Sequence, residues 1–210
     1  MLFLLACAEE PAWTAPALPP GDACAAYPSA DAFGYCLATS VRYLSPDAAE
    51  GRCALAGSWE SECRYRFVAA RLRDIAVPPP GGMGTLAEDP KQITRADAWL
   101  YFCADDDCRF MVVDRFRDPD LVRQLDRCGA AGRFVSDCAA HAVESWETLP
   151  PDLARTRSLW EAIPRFPPHR TNRAAESAGW AFACLGEPCP PGSEAAVNAC
   201  ARGRGRGDCG

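Results

Sequence analysis

The chain has 210 residues, 49% of them hydrophobic, with a formal net charge of −6 and a pI near 5.0. This length allows one domain, or two small ones, with a buried core. The acidic balance predicts no nucleic-acid partner. No run of about 18 apolar residues occurs, so no membrane-spanning helix is predicted.

The N-terminal residues carry a short motif around Cys7, the first of 13 cysteines. Leu4-Leu5-Ala6-Cys7 resembles the lipobox of bacterial lipoproteins, in which the signal peptide is cut before the cysteine and that cysteine is lipidated. The resemblance implies that residues 1–6 are a truncated signal-peptide remnant with a true start upstream of Met1, because the basic segment is missing. The alternative is a chance Leu/Ala run beside a spare cysteine. The absence of Asp after Cys7, where Ala8 stands, favours the outer membrane.

Residues 7–23 are rich in Pro and Ala and have no periodic apolar face, so they predict a lipid-anchored tether. The rest of the chain, 24–210, is expected to form a single cysteine-rich helical domain. Its 12 cysteines fall into close pairs, which is typical of disulfides made in an oxidising compartment. The alternative is a metal site, but most of the spacers are longer than those of structural zinc sites. We predict bridges Cys24–Cys36, Cys53–Cys63, Cys103–Cys108, Cys128–Cys138, Cys184–Cys189 and Cys200–Cys209.

The sequence from Cys53 onwards repeats. The segments 53–63 and 128–138 share the pattern C-x2-A-G-x3-S-[DE]-C, offset by 75 residues, and 99–103 matches 180–184 with an offset of 81. We therefore predict an internal duplication with units about 45–117 and 118–192, and a short third copy at 193–210.

Local signals predict helical hairpins. Ser45-Pro46-Asp47 and Asp118-Pro119-Asp120 each have the pattern of an N-cap followed by proline at the first helical position. Ser61 and Ser136 are expected to cap the helices that follow the connecting loops. The segment 110–113 is the best strand signal, or else a buried helical turn. The predicted fold class is all-α, with disulfide-stapled helical hairpins in an internally duplicated array.

Few residues suggest chemistry. His141 and Glu144 could share a metal or act together as a catalytic base, but we expect them to form a solvated polar helix face with Ser145 and Thr148. His169 is an isolated loop histidine. Asp105, Asp106 and Asp107 could bind Ca²⁺, but calcium loops alternate their ligands, so a charged turn is the competing interpretation. Three arginines of the last predicted loop could contact phosphate groups of lipid or lipopolysaccharide, but a flexible solvated loop is the competing interpretation: Arg202, Arg204 and Arg206.

No catalytic or metal-binding constellation and no cofactor motif is predicted. We expect a non-catalytic lipoprotein of the bacterial cell envelope that binds or scaffolds another envelope protein or a peptide. The membrane is contacted through the N-terminal lipid. The alternative is an envelope hydrolase using carboxylates such as Glu144 or Glu176. Trp99 and Trp180 each stand four residues before a cysteine, so we expect both to lie in the repeat core beside their disulfides.

Overall fold

The computed structural model describes residues 13–76, 84–87, 89–206 and 209, with the backbone alone for 168–171. Cys7 and the His169 side chain lie outside the described part. The chain forms two compact units, 1–67 and 68–210, which divide within one helix. Most of the described residues are helical, and six disulfides staple the helices, which confirms the predicted all-α fold class. None of their helices is both long and apolar enough to cross a bilayer.

Ten α-helices occur in the described part, together with a two-residue parallel sheet and short 3-10 segments. The α-helices are α1 (Ala30–Ser40), α2 (Pro46–Ala54), α3 (Glu60–Ile75), α4 (Pro90–Asp97), α5 (Asp106–Arg115), α6 (Leu121–Arg127), α7 (Val135–Glu147), α8 (Leu153–Ala162), α9 (Pro168–Cys184) and α10 (Glu194–Arg204). The strands are β1 (Thr85–Leu86) and β2 (Phe116–Arg117). The 3-10 segments are Ala23–Ala26, Gly57–Trp59, Leu100–Phe102, Cys128–Phe134 and Ile163–Arg165. The predicted strand candidate at 110–113 is part of α5.

The helix starts are only partly as predicted. Ser45 caps α2 with Pro46 in the first turn, as expected. The cap of α6 is Asp120, not Asp118, because the Asp120 carboxylate accepts hydrogen bonds from the first free amides of the helix. The predicted caps Ser61 and Ser136 are wrong, since α3 and α7 begin directly from 3-10 segments, at Glu60 and Val135.

Four of the predicted disulfides are present: Cys24–Cys36, Cys53–Cys63, Cys103–Cys108 and Cys128–Cys138. The last two predicted bridges, Cys184–Cys189 and Cys200–Cys209, are wrong. The structure instead pairs Cys184 with Cys209 and Cys189 with Cys200.

Helix geometry explains the different pairing. Asp105 caps α5, so Cys108 lies in the first turn of a new helix and comes back beside Cys103. After Cys184, by contrast, the chain turns at Gly186, with φ of +74°, and stays non-helical up to Ser193. Helix α10 then packs on α9, so Cys189 lies beside Cys200 instead of Cys184.

The 75-residue repeat extends beyond the cysteine motif. Gly57 and Gly132 both have a positive φ, +60° and +57°, in equivalent loops. Asp22 pairs with Arg52 and Asp97 with Arg127, and each partner is again offset by 75 residues. We call residues 22–67 module one and residues 97–142 module two. Apart from strand β2, which occurs only in module two, their element order is the same: a short 3-10 segment, two α-helices, a second 3-10 segment, and a third α-helix.

The main hydrophobic core of the second unit is formed by residues of α6 to α10. The apolar stripes of α7 and α8 face inward, with Trp146 and Trp160 both largely buried. Helices α9 and α10 approach so closely that a side chain at Gly179 or Gly203 would collide with the opposite backbone. The small residues therefore bring these two helices together and position the loop between them.

Candidate functional site

The larger of two described pockets in the second unit is apolar and is the candidate site. It lies between the end of α8, the 3-10 segment that follows, and the loop leading into α10. Its volume is about 500 Å³, within the range of small-ligand pockets. We call it the Trp160 pocket. Its lining is Trp160, Glu161, Ile163, Pro164, Phe166, Pro191, Gly192, Ser193 and Ala196.

The indole of Trp160 fixes the wall of this pocket. Its Nε1 donates a hydrogen bond to the carbonyl oxygen of Pro191 at 3.2 Å, so the loop crosses directly over the ring. A Cβ at Gly192 would lie 3.0 Å from the indole Cζ2, which leaves little space for any larger residue there. The far side of Trp160 packs edge-on against Phe182, with ring centroids 6.2 Å apart.

Two disulfides and a helix cap hold the loop in place. Cys189–Cys200 ties the loop to α10, and Cys184–Cys209 closes the hairpin around it. The Ser193 hydroxyl accepts the Ala196 amide proton, which fixes the first turn of α10. The pocket is therefore preformed by covalent and hydrogen-bonded restraints.

The floor and the rim of the Trp160 pocket differ in polarity. Trp160, Ile163 and Phe166 are buried and apolar. Pro164 and Pro191 are exposed at the edge, and Glu161 is the one ionisable residue of the lining. Such a surface can bury an apolar group and present a single carboxylate beside it, but it contains no nucleophile with an adjacent base.

A second, smaller pocket of about 290 Å³ lies beside α6 and α8. Its floor includes Leu121, Trp146 and Leu159, and two arginines lie at its edge. Arg123 is bound by Asp118 at 2.8 Å, and this hydrogen bond raises the pKa of Arg123. Arg155 donates to the carbonyl oxygen of Pro150. Both guanidinium groups are therefore already engaged within the protein.

His141 has a closer partner than the predicted Glu144. Its Nδ1 lies 3.1 Å from an Asp114 carboxylate oxygen, and the same carboxylate binds Arg117 through two hydrogen bonds. Arg117 also donates to the Ser145 hydroxyl and to the His141 carbonyl oxygen. His141 is therefore only partly exposed, and together with Ser145 it joins α7 to the largely buried ion pair between Asp114 of α5 and Arg117 of β2.

The carboxylates of the hydrolase alternative are ion-paired. Glu144 accepts from Arg173 at 3.4 Å, and Glu176 accepts from Arg202 at 2.8 Å. Neither residue lines the two pockets.

The three arginines predicted to lie in a basic loop are instead bound to other groups of the protein. Arg202 and Arg204 belong to α10, Arg204 donates to the Glu187 carbonyl oxygen, and Arg206 pairs with Glu147 at 2.6 Å. These arginines form hydrogen bonds and ion pairs within the second unit.

The three adjacent aspartates stabilise module two. Asp105 caps α5, Asp106 accepts the Arg133 amide proton at 3.0 Å, and Asp107 pairs with the Arg133 guanidinium. No cluster of three or more metal-ligating side chains occurs among the described residues.

The two tryptophans predicted to lie inside the repeat core are not fully buried. Trp99 and Trp180 are both only half-buried. Trp180 lies within α9, whereas Trp99 precedes a short 3-10 segment, so the assumed helical spacing does not apply to it. The buried aromatic residues near these cysteines are Phe102 and Phe182, while Tyr101 is 69% exposed.

The Trp160 pocket was not predicted. The Pro-rich loop marked a break between helices, but its passage over Trp160 depends on the Cys189–Cys200 bridge. No protein-family model, curated protein or solved structure matches this chain.

Proposed function

We propose that this protein is a non-catalytic lipoprotein of the bacterial cell envelope whose second unit binds an apolar segment of another envelope protein or peptide. The observation that carries the binding role is the preformed Trp160 pocket. Its buried aromatic and aliphatic floor, with one carboxylate at the edge, is the composition expected of a binding site.

The envelope location is supported by two independent features. Six disulfides suit an oxidising compartment outside the cytoplasm. The lipobox-like Leu4-Leu5-Ala6-Cys7 would provide the anchor. The later part of the predicted tether is packed on module one, since Trp13 contacts Phe33 and Asp22 pairs with Arg52. Intact-mass measurement of membrane-extracted protein tests this location. We expect a lipid adduct on Cys7 with residues 1–6 absent; a mature soluble form that retains Leu2–Ala6 would contradict it.

The binding role is tested by selecting displayed random peptides on the oxidised chain. Pro164→Arg should abolish capture of the selected peptides, because it places a long charged side chain across the pocket edge without altering the floor. Pro28→Arg, an equally exposed proline in module one, is the matched control. Selected peptides that bind the wild type and Pro164→Arg equally would show that the Trp160 pocket is not the binding site.

A further inference from the structure

Glu161 gives the Trp160 pocket a charge preference. It is exposed at the edge of the pocket, beside the buried indole of Trp160. Among the side chains that the structure describes, none forms an ion pair or hydrogen bond with it. This distinguishes Glu161 from Glu144, Glu147 and Glu176, which each bind an arginine.

None of the other charged groups described near the pocket neutralises the Glu161 carboxylate. Arg165 is exposed four residues after Glu161, but it neither pairs with Glu161 nor lines the pocket. Arg157 is within 3.9 Å of Glu187. The positive end of the α10 dipole is offset by Glu194 in its first turn.

We infer that the occupant of the Trp160 pocket is a basic–apolar peptide segment, with its apolar side chain on the floor and its ammonium or guanidinium group beside the Glu161 carboxylate. This inference depends on the proposed binding function and specifies its ligand class. Charge complementarity selects the basic segment, because an acidic one would bring two carboxylates together at the edge of an apolar surface.

The test compares three capped tripeptides that differ only in the central residue: acetyl-Leu-Lys-Leu-amide, acetyl-Leu-Gln-Leu-amide and acetyl-Leu-Glu-Leu-amide. Binding is followed by NMR on the oxidised, ¹⁵N-labelled full chain, using the indole resonance of Trp160 assigned with Trp160→Phe. We expect the lysine peptide to bind about two- to fivefold tighter than the glutamine peptide, the effect of one exposed ion pair, and the glutamate peptide to bind weakest.

Variants separate the charge effect from folding. Glu161→Gln should remove the preference for lysine, and Glu161→Lys should reverse it, while apolar binding persists. Glu50→Gln, at an exposed glutamate of module one, should leave the order unchanged. High salt should reduce the preference as well.

The outcomes distinguish the two proposals. Equal binding of all three peptides at the Trp160 resonance would overturn the charge inference and leave the binding function standing. No shift of that resonance with any peptide would overturn both. A preference that survives Glu161→Gln would also overturn the inference, because another group would then be the source of it.

Discussion

Modules one and two share a frame but differ in their exposed chemistry. Tyr35 packs against Trp59 with ring centroids 5.1 Å apart, and the equivalent Phe110 and Phe134 are 5.2 Å apart. The cation beside the first ring is Arg66 in module one, whereas the equivalent position in module two is His141. The duplicated disulfide, glycine turn and ion pair are retained, while the residues around the aromatic pair have diverged. The shared positions therefore maintain the fold, whereas the diverged positions give the two modules surfaces of different chemistry.

The clearest difference between the modules is the role of the equivalent arginines. Arg52 binds Asp22, Ser40 and the Cys24 sulfur. It thereby holds the 3-10 segment Ala23–Ala26 against α2. Arg127 binds Asp97 and also donates to the carbonyl oxygens of Val113 and Phe116. The second arginine thus satisfies main-chain groups at the end of α5 as well as its ion-pair partner.

The largest predicted effect follows from this difference. Arg127→Ala should destabilise the second unit by about 3–4 kcal/mol, because it leaves the Asp97 carboxylate and the Phe116 carbonyl oxygen without their partner and removes one of the two donors to the Val113 carbonyl oxygen. Arg52→Ala should destabilise the first unit by less, about 2 kcal/mol, since no helix-end carbonyl depends on it. Hydrogen exchange of α1 and α5 amides reports each unit separately. Equal losses in the two variants would contradict the assignment of an additional role to Arg127.

The equivalent glycines should also respond unequally. Gly132 has φ of +57° and ψ of −125°, and a Cβ there would collide with the Asp106 carboxylate. Nothing lies within 4 Å of a Cβ at Gly57. Gly132→Ala should therefore destabilise its unit by about 3 kcal/mol, and Gly57→Ala by about 1–2 kcal/mol from backbone strain alone. Denaturant unfolding measures the loss in free energy of unfolding for each variant. A larger loss for Gly57→Ala than for Gly132→Ala would contradict this prediction.

The smallest predicted effect is a pH dependence in module one. The hydrogen bond from Arg52, helped by the Cys24 amide, lowers the pKa of Asp22. Because the folded-state pKa lies below the ordinary value of about 3.9, this stabilisation is complete above that value and is lost as pH falls through the folded pKa. Asp22→Asn should therefore make the free energy of unfolding of the first unit depend less on pH below about pH 4. An unchanged acid profile would contradict the contribution of Asp22.

The sequence was sufficient to predict the helical class and the repeated loop, because the C-x2-A-G-x3-S-[DE]-C pattern combines a fixed spacing with a glycine that the turn requires. It was insufficient for the four C-terminal cysteines. Cys103–Cys108 and the segment 184–189 have the same spacing, but only the first contains a capped helix start. The Trp160 pocket was missed for the same reason, since its wall is a loop whose position depends on contacts distant in sequence.

The nested bridges Cys184–Cys209 and Cys189–Cys200 have a consequence for oxidative maturation. Short loops close more readily than long ones, so an unfolded chain favours contact between Cys184 and Cys189, which are five residues apart, over contact with Cys209, 25 residues away. A Cys184–Cys189 bridge formed by proximity would leave Cys189 unable to pair with Cys200, the bridge that ties the loop to α10. Native pairing then requires thiol–disulfide exchange, in which a thiolate attacks the first-formed bond. The wall of the pocket therefore depends on a disulfide-exchanging environment during maturation.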